Sequence, residues 1–158
     1  MSSIISQLLV ALSVSAAPAD STHCVDAARF LRTTQHMVAV IERDTIDDWR
    51  TKRKVLGCRI TAAGGTDVGV QQEAVRFYER LRAAQWVRTP DPRDSPNEGS
   101  LRFRWAQSDC LFNINREGLL GTEAEGLVNE RLVLKAGETR YQMFVMCMPA
   151  MAAAPREP

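Results

Sequence analysis

The chain has 158 residues, 45% of them apolar and 25% charged, which excludes a disordered polymer and fits one globular domain. Its formal charge is +1, from 20 Lys and Arg against 19 Asp and Glu, so the basic excess expected of a nucleic-acid-binding domain is missing. The basic set is skewed, with only three lysines, Lys52, Lys54 and Lys135, a skew that coding bias explains as readily as function.

The first element is an apolar run, Ile4, Ile5, Leu8, Leu9, Val10, Ala11, Leu12 and Val14, with no charge before Asp20. It is shorter than the roughly 20 residues needed to span a bilayer. Ala17-Pro18-Ala19 follows, a small-x-small pattern. Residues 1–19 therefore read as a signal peptide cleaved after Ala19, with Ala16 as an alternative site. No Lys or Arg lies in the run's first residues, which leaves two readings: a true start upstream of Met1, or an α-amino group that supplies the positive charge. Cleavage leaves about 139 residues, enough for a hydrophobic core. No later segment is long and apolar enough to cross a membrane, and the expected location is the bacterial periplasm or the exterior.

Four separated cysteines, Cys24, Cys58, Cys110 and Cys147, form no C-x-x-C pair. In an exported chain they predict two disulfides rather than a zinc or redox motif. Of the three connectivities, Cys110–Cys147 is favoured because both lie on expected strands of one meander, leaving Cys24–Cys58. Each closes a loop worth about 4 kcal/mol in the chain-entropy model.

In chain order, residues 25–46 carry Phe30, Leu31, Met37, Val38 and Ile41 at helical spacing and read as an N-terminal helix. Residues 54–61, with Val55, Leu56, Cys58 and Ile60, read as a strand that Ala62-Ala63-Gly64-Gly65 ends. Asp67 then caps a helix over 68–84 that buries Val70, Ala74, Phe77 and Leu81. A short strand is expected at 85–89 and a proline-rich surface loop at 90–100. Leu101, Phe103 and Trp105 alternate with Arg102, Arg104 and Ala106, and Cys110, Phe112 and Ile114 with Leu111, Asn113 and Asn115, marking two half-buried strands. Within 118–137, Thr122 and Glu125 have capping-box spacing, although Gly126 interrupts the short helix they would begin. Residues 141–148 form the last strand, and 150–158 a disordered tail. The resulting expectation is an α+β fold: a mainly antiparallel four-stranded sheet in the order β-α-β-β-β, one helix packed on a face and an additional N-terminal helix. A single domain spans 20–149.

The chemical signals are sparse. His23 and His36 are the two histidines, and neither sits in a motif that pairs a nucleophile with a base and an orienting carboxylate. Asp44, Asp47 and Asp48 cluster, as do Glu123 and Glu125, but read as solvated charge rather than the paired acids of a glycosidase. Met143, Met146, Met148 and Met151 surround Cys147; thioethers suit Cu(I). On a strand, however, Met143 and Cys147 point away from Met146 and Met148, and a disulfide would remove the thiolate. Lys52, Arg53 and Lys54, with Arg102, Arg104 and Arg116, are candidates for a patch that attracts an anionic partner. The residues thus favour a non-catalytic exported binding module, with no cofactor, facing an unidentified protein or anionic envelope component. A small hydrolase and a copper-handling protein using Met143, Met146 and Met148 are the alternatives.

Overall fold

The computed structural model describes residues 21–48, 50–89, 100–118 and 120–151. The expected signal segment, the 90–99 part of the expected loop and most of the expected tail lie outside the described residues. Helix α1 (Thr22–Thr33) opens the chain, followed by β1 (Val38–Asp48) and β2 (Arg53–Thr66). Next come α2 (Val70–Ala83), β3 (Val87–Arg88), β4 (Ser100–Trp105) and β5 (Ser108–Asn115). Helix α3 (Glu123–Arg131) and β6 (Thr139–Pro149) complete it. The strands form one six-stranded sheet in the order β1-β2-β6-β5-β4-β3, every neighbouring pair antiparallel.

This corrects the expected four-stranded sheet. The class remains α+β, but the expectation had β1 as helix and left the short strand at 85–89 out of the sheet. The segment expected to continue the first helix is β1, an eleven-residue strand paired along its length with β2, from Val38↔Ala63 to Asp48↔Arg53. The helix stops because His36 adopts a left-handed conformation (φ 54°) and the Met37 amide returns to the Leu31 carbonyl at 2.9 Å, a helix-terminating geometry that glycine usually signals. Beyond it, Val38, Val40, Ile41, Thr45 and Ile46 supply the β-branched run of a strand. The short strand expected at 85–89 forms as β3 and joins the sheet, with Val87 opposite Arg104.

Strand β2 also runs past its expected end, through Gly64 and Gly65 to Thr66. Here glycine answers a packing demand. A Cβ at Gly64 would lie 3.0 Å from both Met37 and the Tyr141 ring, so the strand continues because a side chain has no room.

One sheet face carries the core. Cys58, Ile60 and Ala62 of β2, Met143, Val145 and Cys147 of β6, Cys110, Phe112 and Ile114 of β5 and Phe103 of β4 are all buried there. Helix α1 adds Cys24, Ala27, Ala28, Phe30 and Leu31, and α2 adds Phe77 and Leu81. Aromatic rings join the layers: Phe77 lies 5.8 Å from Phe30 and 5.3 Å from Phe112, and Trp86 stacks on Trp105 at 5.8 Å. Such contacts contribute about 0.5–1.5 kcal/mol each beyond area burial.

The cysteines pair as Cys24–Cys58 and Cys110–Cys147. Register explains their closeness: Cys147 stands opposite Cys58 on one side and Cys110 on the other. Three cysteines thus form a row across β2, β6 and β5, and Cys24 descends onto it from α1. The first bridge clamps α1 to the sheet, and the second crosses neighbouring strands.

Candidate functional site

The opposite sheet face is polar. Alternation puts Arg59 and Thr61 of β2, Gln142, Phe144, Met146 and Met148 of β6, Asp109, Leu111 and Asn113 of β5, and Ser100, Arg102 and Arg104 of β4 on it. At one end lies a buried ionic cluster. Arg50, which is 6% exposed, donates to Asp48 at 3.0 Å and to Asp109 at 3.2 Å. Arg104 grips the same Asp109 with two bonds, at 2.6 and 2.9 Å, a bidentate pairing. Burial pushes the Asp109 carboxyl up, but the bonds from Arg104, the Met151 amide and Arg50 outweigh it and hold the group below the ordinary carboxylate range. Asp48 behaves likewise: burial raises it, and the side-chain and backbone bonds from Arg50 bring it below its usual value.

The cluster decides the fate of the expected basic patch. Arg102 is completely buried, Arg104 is committed to Asp109, and Arg116 lies apart, beside Val68, Gly69 and Val70 at the start of α2. The structure does not bring these three together as an exposed surface. Lys52, Arg53 and Lys54 are exposed at the β1–β2 connection, where Lys54 faces Asp47 at 3.8 Å. Their neighbour Arg50 turns inward to the cluster.

Several other sequence candidates have structural partners. Asp44 lies 3.7 Å from Arg59, which also binds Glu42. The Glu125 carboxylate accepts from the amides of Leu120, Gly121 and Thr122, completing the expected capping box of α3. Met143 lies in the core with Cys147, whereas Met146 and Met148 are on the opposite face, where the Met148 sulfur accepts from Arg50 at 3.6 Å. The three sulfurs are not brought together. His23 joins α1 and meets Ser108 across 85 residues, Nδ1 to Oγ at 2.7 Å. The two residues stand too far apart in sequence for any local motif to announce the contact, and neither lines the clefts described here.

At the other end of the polar face, beside α3, a cleft of about 300 Å³ opens. Thr61, Asn113, Gln142, Phe144 and Met146 line it from the sheet, with Ser100 at one side and Glu117 and Glu125 on the segment around α3. Its amides are braced: Asn113 Nδ2 donates to the Phe144 carbonyl at 3.2 Å and Gln142 Nε2 to Asn129 of α3 at 2.9 Å. Ser100 and Asn113 are joined by a side-chain bond. The Thr61 hydroxyl, on a residue 2% exposed, has no hydrogen-bond partner among the described residues. Leaving a buried hydroxyl unpaired costs about 1–3 kcal/mol. Glu117 and Glu125 are the charged side chains lining this cleft, and Glu125 is spent on backbone amides. Thr61 and Asn113 come from strands brought near each other only by β6, so local sequence pattern does not reveal the cleft.

No family model, curated protein or solved structure matches this chain.

Proposed function

We propose that this protein is an exported, non-catalytic binding module that holds a small neutral ligand, rich in hydroxyl or amide groups, in the cleft beside α3. The Thr61 hydroxyl carries the reading: a buried, unpartnered group at the cleft is recovered by a ligand that bonds to it. Braced amides and hydroxyls give orientation, Phe144 and Met146 give apolar contact, and the acids repel an anionic ligand. At about 300 Å³ the volume suits a molecule of monosaccharide or dipeptide size.

Two disulfides are compatible with an oxidising compartment, and no helix among the described residues is long and apolar enough to cross a membrane. The disulfides support a periplasmic or secreted location, and the apolar run ending in Ala17-Pro18-Ala19 supports processing after Ala19. Intact mass of the protein from its native host checks this: loss of about 19 residues supports export, and a full-length chain with four alkylatable thiols overturns it.

For the ligand, the Met146 methyl signal is followed by NMR while neutral sugars, polyols and small amides are titrated. A saturable shift that disappears in Thr61→Val supports the proposal. If no compound shifts the signal, or the shift survives in Thr61→Val, the cleft is not the site.

A further inference from the structure

A second cleft, about 370 Å³, lies between the end of α1, the end of β2, helix α2 and the segment that follows α3. Its deepest residues are Gln35, 8% exposed, Thr66, 3%, and Glu73, 5%. The acceptors of this inner wall are spent. Glu73 receives the Thr66 hydroxyl at 3.1 Å on one carboxylate oxygen and Arg80 at 3.2 Å on the other. The Gln35 Oε1 accepts from the same Arg80 nitrogen. That contact also fixes the amide's orientation, because a flipped amide would set its NH2 against a guanidinium.

The donors are not spent. Gln35 Nε2 has no hydrogen-bond partner among the described residues. Arg80 uses Nη1 for both of its side-chain bonds and keeps Nη2 and Nε. Lys135 lies at the rim, where its backbone amide donates to Glu138 at 2.8 Å. Beside these donors Leu132 and Val133 line an aliphatic wall, Val133 being 87% exposed.

From this arrangement we infer that the second cleft binds an aliphatic carboxylate, either a free short-chain acid or the C-terminus of a peptide. The carboxylate sits on Gln35 Nε2 and the outer nitrogens of Arg80, where charge-assisted bonds are strongest. The aliphatic body lies against Leu132 and Val133. Charge alone would not select this ligand, since Asp67 and Glu138 also border the cleft. Selection comes from the inner wall, where a buried amide donor waits beside a guanidinium and both carboxylate oxygens of Glu73 are occupied.

The test uses the full disulfide-bonded chain with isovalerate as the free acid and an N-acetylated peptide ending in valine as the chain terminus. The Gln35 side-chain NH2 signals are followed by NMR. A saturable shift with either probe supports the site, with an affinity about tenfold weaker in Gln35→Glu, read there from the Val133 methyl signals. Binding of both locates recognition in the carboxylate alone; binding of the peptide only assigns the site to chain termini. The amidated peptide and isobutanol, which lack the carboxylate, should not bind. If neither carboxylate moves the Gln35 signals, or if the uncharged controls bind equally, the inference fails. Arg80→Lys keeps the charge and removes the planar fork. Unchanged affinity there, in a variant with unchanged melting temperature, would also overturn it.

Discussion

Asp109 and Thr61 show, at the scale of single residues, how differently two buried polar groups are treated on one sheet face. Asp109 is completely buried yet fully engaged, holding two arginines and a backbone amide. Replacing it with Asn leaves Arg50 and Arg104 facing a neutral group in a buried site, and Asp109→Asn should cost about 3–5 kcal/mol in a denaturant melt. Because the folded Asp109 and Asp48 carboxyls are held below their ordinary values, their contribution is fully present above the unfolded value of about 4. It is lost as pH falls through the depressed folded values. Stability should therefore be level near neutrality and decline below about pH 4, less steeply in Asp109→Asn. Thr61 is the reverse case. Thr61→Val keeps the shape and removes an unpaired hydroxyl, so the ligand-free protein should gain about 1 kcal/mol, which thermal unfolding measures. A loss of that size would mean that the hydroxyl has a structural partner.

Among the elements, the ends matter most. Helix α2 closes with Gln85 in the left-handed region (φ 67°), its amide on the Arg82 carbonyl and the Trp86 amide on Leu81, at 2.9 and 3.0 Å. That pair of bonds is a Schellman closure, in which glycine is the preferred residue. Gln85→Gly should stabilise the protein by about 1 kcal/mol, read from the melting temperature, since relief of the strained φ exceeds the added chain entropy. The same physics hid the end of α1. His36 occupies the left-handed position, and without a glycine the apolar spacing of Phe30, Leu31, Met37, Val38 and Ile41 runs on as if helical. Strands with strict alternation were legible for the opposite reason. Phe103 and Trp105 face the core and Arg102 and Arg104 the other side, as their period demands. The capping box at Thr122 was equally legible, and α3 forms with Gly126 inside it.

For the whole molecule, the disulfides and the sheet act together. The loops they close span 34 and 37 residues of sequence separation, and removing either bridge by paired Cys→Ala substitution should cost about 4 kcal/mol. That is a large part of the roughly 5–15 kcal/mol of a typical domain. Calorimetry of the oxidised chain and of each paired variant checks it; variants that melt with the parent would show that the bridges contribute nothing. The two losses should also couple, because the pairs meet in one row across β2, β6 and β5 and neighbouring sites are not additive.

From sequence alone followed what depends on local pattern: the α+β class, the long amphipathic helix α2, the alternating strands β4 and β5, and the cysteine pairing once two cysteines were placed on one meander. Tertiary structure decided what depends on neighbours distant in the chain. It made β1 a strand by offering β2 along its whole length, and it drew β2 through Gly64, where Met37 and Tyr141 left no room, and Gly65, where Glu138 left none. It buried Arg102 and tied Arg104 to Asp109, set Thr61 and Asn113 on one cleft, and placed Gln35 beside Arg80. Alternation tells which side of a sheet a residue takes, but burial on that side is set by what packs over it, and that information lies elsewhere in the chain.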